Sequence, residues 1–306
     1  MNRKLAVTAA LCAMAALIFS AKEAAAACLN ALELCGRMII PALFPFFVLS
    51  ILLNRLGLPG MLGKVFAPFA SRLYGISGAG ASALLIGLTG GYPLGAAYIA
   101  DMERQGSITA SEGERLLGFC NNSGPGFFLG VCGTAVFGSA RAGAYLYLIH
   151  VGAALVTGIL LRRDLGLPRR KAVSRQRAPF DLAAALPAAV QGSFAAVGSV
   201  SAFVIFFMVL LRLLSLVPAL AALPPLPRAA LFGFMEMTNG VNALPATRTG
   251  FVLCAAIMNW GGLSVQAQTR ALLAGSALSA RRCVIGKAVQ ALAGVPLALL
   301  AAQRLF

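Results

Sequence analysis

Glu236 stands inside Leu231-Phe-Gly-Phe-Met-Glu-Met-Thr-Asn-Gly-Val, an apolar run with Thr238, Asn239 and Asn242 beside it. A charge at bilayer depth is expensive, and an ionisable residue kept there marks a functional site by default. A carboxyl in such a place can take up and release a proton, or pair with Arg212 or Arg248 in the adjoining apolar stretches. Asn121, Asn122 and Ser123 form a second polar cluster whose amides and hydroxyl both donate and accept. That chemistry suits a planar heteroaromatic or carboxylated solute. Around these clusters lie helix interruptions: Gly90, Gly91, Tyr92 and Pro93, then Gly124 to Gly126, then Gly240, Pro245, Gly261 and Gly262 with Ser264 following. Interrupted backbone survives at membrane depth only when buried in protein or lining a cavity, and backbone N–H groups at helix starts favour carboxylates. The candidate solute-binding set is therefore Gly90, Gly91, Tyr92, Pro93, Asn121, Asn122, Ser123, Glu236, Thr238, Asn239, Gly261, Gly262 and Ser264.

Other chemistries find little footing. HExxH and G-x-S-x-G are absent, and no pair of acids shares an apolar segment, so no catalytic residue is assigned and an enzyme is not expected. Seven cysteines (Cys12, Cys28, Cys35, Cys120, Cys132, Cys254, Cys283) show no CxxC spacing and read as small hydrophobes. The one histidine, His150, lies in an apolar run and reads as a helix–helix or interface contact rather than a proton relay. No metal and no cofactor is expected.

The elements that must position these residues follow from composition. The chain has 306 residues, 59% of them apolar and 11% charged, with a mean hydropathy of +0.86. Soluble domains carry about 25% charge, so there is too little here to cover a water-facing surface, and disorder needs the opposite balance. Stretches free of Asp, Glu, Lys and Arg run over 5–21, 38–54, 73–100, 116–140, 142–161, 182–211, 249–269 and 288–303. With about 20 residues needed per span, the expected architecture is an all-α polytopic membrane protein of roughly eight to ten membrane segments. Alternation of polar and apolar residues, the mark of a spanning β-barrel, is absent. Short pieces around Arg212, Arg228, Glu236 and Arg248 require a broken or re-entrant path. Arg3 and Lys4 before an apolar stretch and Cys28 imitate a secretory signal, but Lys22 and Glu23 before that point favour a retained first helix. Residues 101–115 read as a polar loop, with a capping box from Thr109 to Glu112 starting the helix that leads into Asn121.

Charge is lopsided, with 25 Lys and Arg against nine Asp and Glu. Arg162, Arg163, Arg169, Arg170, Lys171, Arg175 and Arg177 cluster in a linker over 162–181, which the positive-inside rule places in the cytoplasm. Anionic lipid is a compatible contact; nucleic acid is not expected, because no soluble module surrounds the cluster. The linker separates 1–161 from 182–306, and these halves resemble each other in outline. Pro41-Ala-Leu-Phe-Pro-Phe-Phe-Val-Leu is answered by Val200-Ser-Ala-Phe-Val-Ile-Phe-Phe-Met, and Gly87-Leu-Thr-Gly-Gly-Tyr-Pro-Leu-Gly by Gly233-Phe-Met-Glu-Met-Thr-Asn-Gly-Val. Asn121-Asn-Ser-Gly-Pro is answered by Asn259-Trp-Gly-Gly-Leu-Ser. Repeats with interrupted helices meeting near the midplane are the signature of secondary transporters.

These motifs, with Phe119-Cys-Asn-Asn-Ser-Gly-Pro, Glu236-Met-Thr-Asn-Gly and Gly261-Gly-Leu-Ser-Val-Gln, resemble in order those of the YlbJ-type (SpoVV) sporulation integral membrane proteins. That family carries the nucleoside-recognition Gate domain, also found in spore maturation proteins and concentrative nucleoside transporters. The resemblance implies a polytopic protein of endospore formers that moves dipicolinic acid across the outer forespore membrane. It implies no particular binding residues. Three functions are therefore weighed: a carrier of a small anionic aromatic dicarboxylate, a nucleoside or nucleobase carrier of the same architecture, and a sporulation membrane scaffold that carries nothing. The expected partners are the small solute and the lipid bilayer, with a homo-oligomer compatible.

Overall fold

A computed structural model describes residues 3–164 and 181–306; most of the basic linker lies outside the described residues. Among the described residues every regular element is helical. Helix α1 (Arg3–Phe19) leads through Ser20 into α2 (Ala21–Leu34), a π-helical stretch (Cys35–Ile39) and α3 (Ile40–Arg55). These last three form one continuous 35-residue rod. Then follow α4 (Leu58–Tyr74), α5 (Gly78–Thr89), α6 (Leu94–Arg104), α7 (Ala110–Cys120), a π-helical segment (Phe127–Val136) and α8 (Ala140–Leu160). After the linker come α9 (Leu182–Leu214), short α10 (Pro218–Ala221), α11 (Pro225–Met235), α12 (Met237–Asn242), α13 (Arg248–Trp260), α14 (Gly262–Leu272) and α15 (Arg281–Leu305).

Five segments are long and apolar enough to cross a bilayer: Ala21–Arg55, Ala140–Leu160, Leu182–Leu214, Arg248–Leu272 and Arg281–Leu305. The protein is thus an all-α polytopic membrane protein, with five long segments and shorter apolar pieces in place of a run of equal spans. Its outer faces carry the large apolar side chains that a lipid-facing surface needs, among them Leu11, Phe19, Val65, Phe194, Leu292 and Leu300. The rod α2–α3 packs along α9, while α8 and α13 both pack on α15.

The polar stretch over 101–115 is corrected in part: Asp101–Arg104 finishes α6, so the connecting turn is 105–109, while α7 starts at Ala110 as the motif at Thr109 implies. The cap at Thr109 is real, its Oγ1 accepting from Glu112 N–H at 3.2 Å. The Glu112 carboxylate, however, reaches across to accept from Ser77 N–H at 2.5 Å instead of closing a capping box. Arg115 donates to Tyr74 O at 3.2 Å and to Gly75 O. These two buried side chains clamp the turn between α4 and α5 to the start of α7. The hydrophilic character of 101–115 does not tell that Glu112 and Arg115 turn inward while Asp101 and Arg104 stay exposed.

Candidate solute-binding site

Four helices are interrupted, and the interruptions meet. The first lies between α5 and α6 at Gly90–Pro93, the second after α7 at Asn121–Gly124, the third at Glu236 between α11 and α12, and the fourth at Gly261 between α13 and α14. Each releases a carbonyl that a helix would have used, and each has one such carbonyl met by a side chain, as a dry interior requires. Tyr147 Oη donates to Leu88 O at 2.9 Å, Asn122 Nδ2 to Phe119 O at 2.7 Å, and Trp260 Nε1 to Phe234 O at 2.9 Å. Gln266 Nε2 reaches Trp260 O at 3.4 Å.

Glycine lets the breaks touch backbone to backbone. A Cβ on Gly91 would fall 2.6 Å from Gly124 N, joining the first break to the second, and Gly91 itself has φ +79°, a conformation that a side chain rarely takes. A Cβ on Gly262 would fall 3.0 Å from Met237 N, joining the fourth to the third. The Tyr92 hydroxyl comes within 2.9 Å of a Cβ placed on Gly261, joining the first to the fourth.

At this junction lies a cavity of about 20 Å³, lined from the breaks by Tyr92, Ser123, Gly124, Glu236, Met237, Thr238, Ser264, Val265 and Gln268. Leu43 and Phe47 of α3, Val200 and Val204 of α9, and Phe127 close it. A single water needs at least about 10–15 Å³, so in this conformation the space suits one water, and a larger solute requires the walls to part. Three lining residues carry a buried side-chain atom with no hydrogen bond within the protein: Tyr92 Oη, Thr238 Oγ1 and Gln268 Oε1. Buried polar groups are nearly always paired, so these three are positioned for something other than the fold.

Glu236 is 1% exposed and begins α12. Its Oε2 accepts from Asn239 N–H at 2.7 Å and from Asn239 Nδ2 at 2.8 Å, so the carboxylate caps the helix it precedes. Pairing with Arg212 or Arg248 is overturned: both arginines are exposed at helix ends, and neither forms an ion pair among the described residues.

Of the sequence-derived set, Tyr92, Ser123, Glu236, Thr238 and Ser264 line the cavity. Gly90, Gly91, Pro93, Gly261 and Gly262 belong to the breaks beside it without lining it, and Asn239 serves the cap. Asn121 and Asn122 face away from the cavity into a layer behind it. Asn121 Nδ2 donates to Thr269 Oγ1 at 2.8 Å and approaches Cys283 Sγ at 3.6 Å. Asn122 Oδ1 accepts from Lys287 Nζ at 2.9 Å.

That rear layer was not anticipated. Lys287 also donates to Gln290 Oε1 at 2.7 Å, and its Nζ lies 5.5 Å from the centre of the Tyr92 ring. Gln290 Nε2 is 3.1 Å from both Asn122 Oδ1 and Asn259 Oδ1. His150 Nε2 accepts from Ser123 N–H at 3.2 Å, which leaves Nδ1 as the donor to Asn259 Oδ1 at 2.9 Å. His150 thus bridges α8, α13 and the second break. All five side chains are at most 1% exposed. A helical stripe was the available signal: Cys283, Lys287, Gln290 and Gly294 recur at three- and four-residue spacing on one face of α15.

No family model and no solved structure matches the chain. Sporulation integral membrane protein YlbJ of Bacillus subtilis (strain 168) is 28% identical over 279 aligned residues, covering 79% of this chain and 68% of that protein. A likeness of that extent supports assigning the chain to the YlbJ-type family of sporulation integral membrane proteins.

Proposed function

We propose that the protein carries a small aromatic carboxylate, with dipicolinate as the leading candidate, across the outer forespore membrane during sporulation, and catalyses no reaction. The observation that carries this reading is the convergence of four helix breaks on one cavity whose Tyr92 hydroxyl and Gln268 carbonyl oxygen lack protein partners. Breaks of this kind, buried where repeats meet, are how secondary transporters expose backbone and polar groups to a solute. Tyr92 and Phe127 supply flat apolar walls for a ring, and Ser123, Thr238, Ser264 and Gln268 supply hydrogen bonds. In this reading Glu236 is the group that takes up a proton as the solute enters.

The neutral hydrogen-bonding groups of the lining favour a second reading, a nucleoside or nucleobase as the solute. Uptake of radiolabelled dipicolinate and uridine into proteoliposomes separates them. Dipicolinate uptake alone is expected; uridine uptake alone selects the second reading, and uptake of neither leaves a membrane scaffold.

A further inference from the structure

Lys287 presents a buried amine for which the described residues provide no carboxylate partner. Its ammonium is fully buried on α15, and both of its hydrogen-bond acceptors are neutral amide oxygens, those of Asn122 and Gln290. The ion pairs among the described residues join Arg37 to Glu33, Arg104 to Asp101 and Arg282 to Glu114, all elsewhere. The titratable groups facing Lys287 are Cys120 from α7, His150 from α8, Tyr92 from the first break and Cys283 from its own helix. None is a carboxyl. Removing an ammonium from water without a counter-ion is strongly unfavourable, and a hydrophobic side chain of similar length would pack there at no such cost. A cation kept in this position therefore points to an anion that arrives from outside the protein.

Among the cavities of the described residues, the central one adjoins the surroundings of Lys287. The Tyr92 ring, over which Nζ sits, belongs to a residue that lines that cavity and carries a buried hydroxyl without a hydrogen-bond partner. Asn122, which accepts from Nζ, is followed by Ser123 and Gly124, and both of these line the same space. Lys287 is thus held one side chain back from the cavity on two sides. Arg212 and Arg248, exposed at the helix ends, have no comparable access.

We infer that Lys287 is the countercharge of the transported solute: a carboxylate seated against Tyr92 supplies the negative charge that the protein withholds from this lysine. The assignment rests on the anion-carrier reading above and names the group that makes that site select anions. Lys287 acts through Tyr92 and Asn122, as a positioning and electrostatic residue behind the lining.

The test compares Lys287→Gln, Lys287→Met and the unaltered protein in detergent and in proteoliposomes, with dipicolinate and its uncharged diamide as probes. Dipicolinate should raise the melting temperature of the unaltered protein, and the diamide should not; equal protection by the diamide overturns the inference without recourse to any variant. Whichever variant folds should melt without ligand near the unaltered value, lose the dipicolinate-induced shift, and take up dipicolinate about tenfold more slowly or worse. Uptake of dipicolinate by a folded variant at the unaltered rate overturns the role of Lys287 while leaving the carrier reading intact. Failure of the unaltered protein to bind or carry dipicolinate removes the carrier reading itself, and the inference with it.

Discussion

Glu236 has two roles that substitution can separate. Its carboxylate caps α12 through Asn239 N–H and lines the cavity. Glu236→Ala removes both, with a cap loss of about 1 kcal/mol. Glu236→Ser leaves a hydroxyl able to accept from the same N–H while deleting the acid. The Ser variant should therefore melt close to the unaltered protein in detergent yet fail to accumulate solute in proteoliposomes; full uptake by it would reduce Glu236 to a cap. Tyr92→Phe is the complementary case. It keeps the ring over Lys287 but deletes a hydroxyl without a protein partner. Stability should hold or rise slightly, while solute affinity, read by titration, falls several-fold, in keeping with one lost hydrogen bond of about 1 kcal/mol. At this scale Glu236 was legible because an acid in an apolar run stands out. Lys287 was not, because gaps between charges place it at the edge of 288–303 when α15 in fact starts at Arg281 and carries it inside. The direction of Asn121 and Asn122 was equally hidden: residues 121–124 are non-helical, so no periodicity tells which of successive side chains faces the cavity.

At the scale of elements, the helix breaks were readable from Gly-Gly-Tyr-Pro and Asn-Asn-Ser-Gly-Pro because glycine and proline end helices for reasons intrinsic to their backbones. Which helices then pack together depends on contacts far apart in sequence. Helices α7 and α15 show this: a Cβ on Gly286 would collide with the Gly118 carbonyl, so the two helices meet at backbone distance. Gly286→Ala must push α15 from α7 one turn from the rear polar layer. Such overpacking costs about 1–3 kcal/mol or more, and the expected result is a lower melting temperature in detergent together with reduced uptake. The clamp at the turn between α4 and α5 makes a second element-scale prediction. Glu112→Ala leaves Ser77 N–H without its acceptor, a loss of about 1–3 kcal/mol. Hydrogen exchange at Ser77 should accelerate, while the amides of α13, remote from the clamp, keep their protection.

For the whole molecule, the decisive quantity is the size of the cavity against the size of a solute. A space of about 20 Å³ cannot hold an aromatic dicarboxylate, so the proposed carriage of such a solute needs walls contributed by α3 or α9 to separate from the four breaks. The contact between α3 and the segment Phe127–Val136 is where that separation can be blocked. A Cβ on Gly130 would stand 2.7 Å from the Ala42 Cβ, and a small shift brings the pair to the roughly 3.5–4.5 Å that a disulfide spans. Five of the seven native cysteines are buried, and only Cys12 and Cys28 need replacing by Ser to leave the engineered pair as the accessible thiols. Ala42→Cys with Gly130→Cys, oxidised, should hold α3 against Phe127–Val136 and abolish uptake; reduction should restore it. Full uptake by the oxidised protein would mean that α3 and Phe127–Val136 travel together, and that the cavity opens between the breaks and α9 instead.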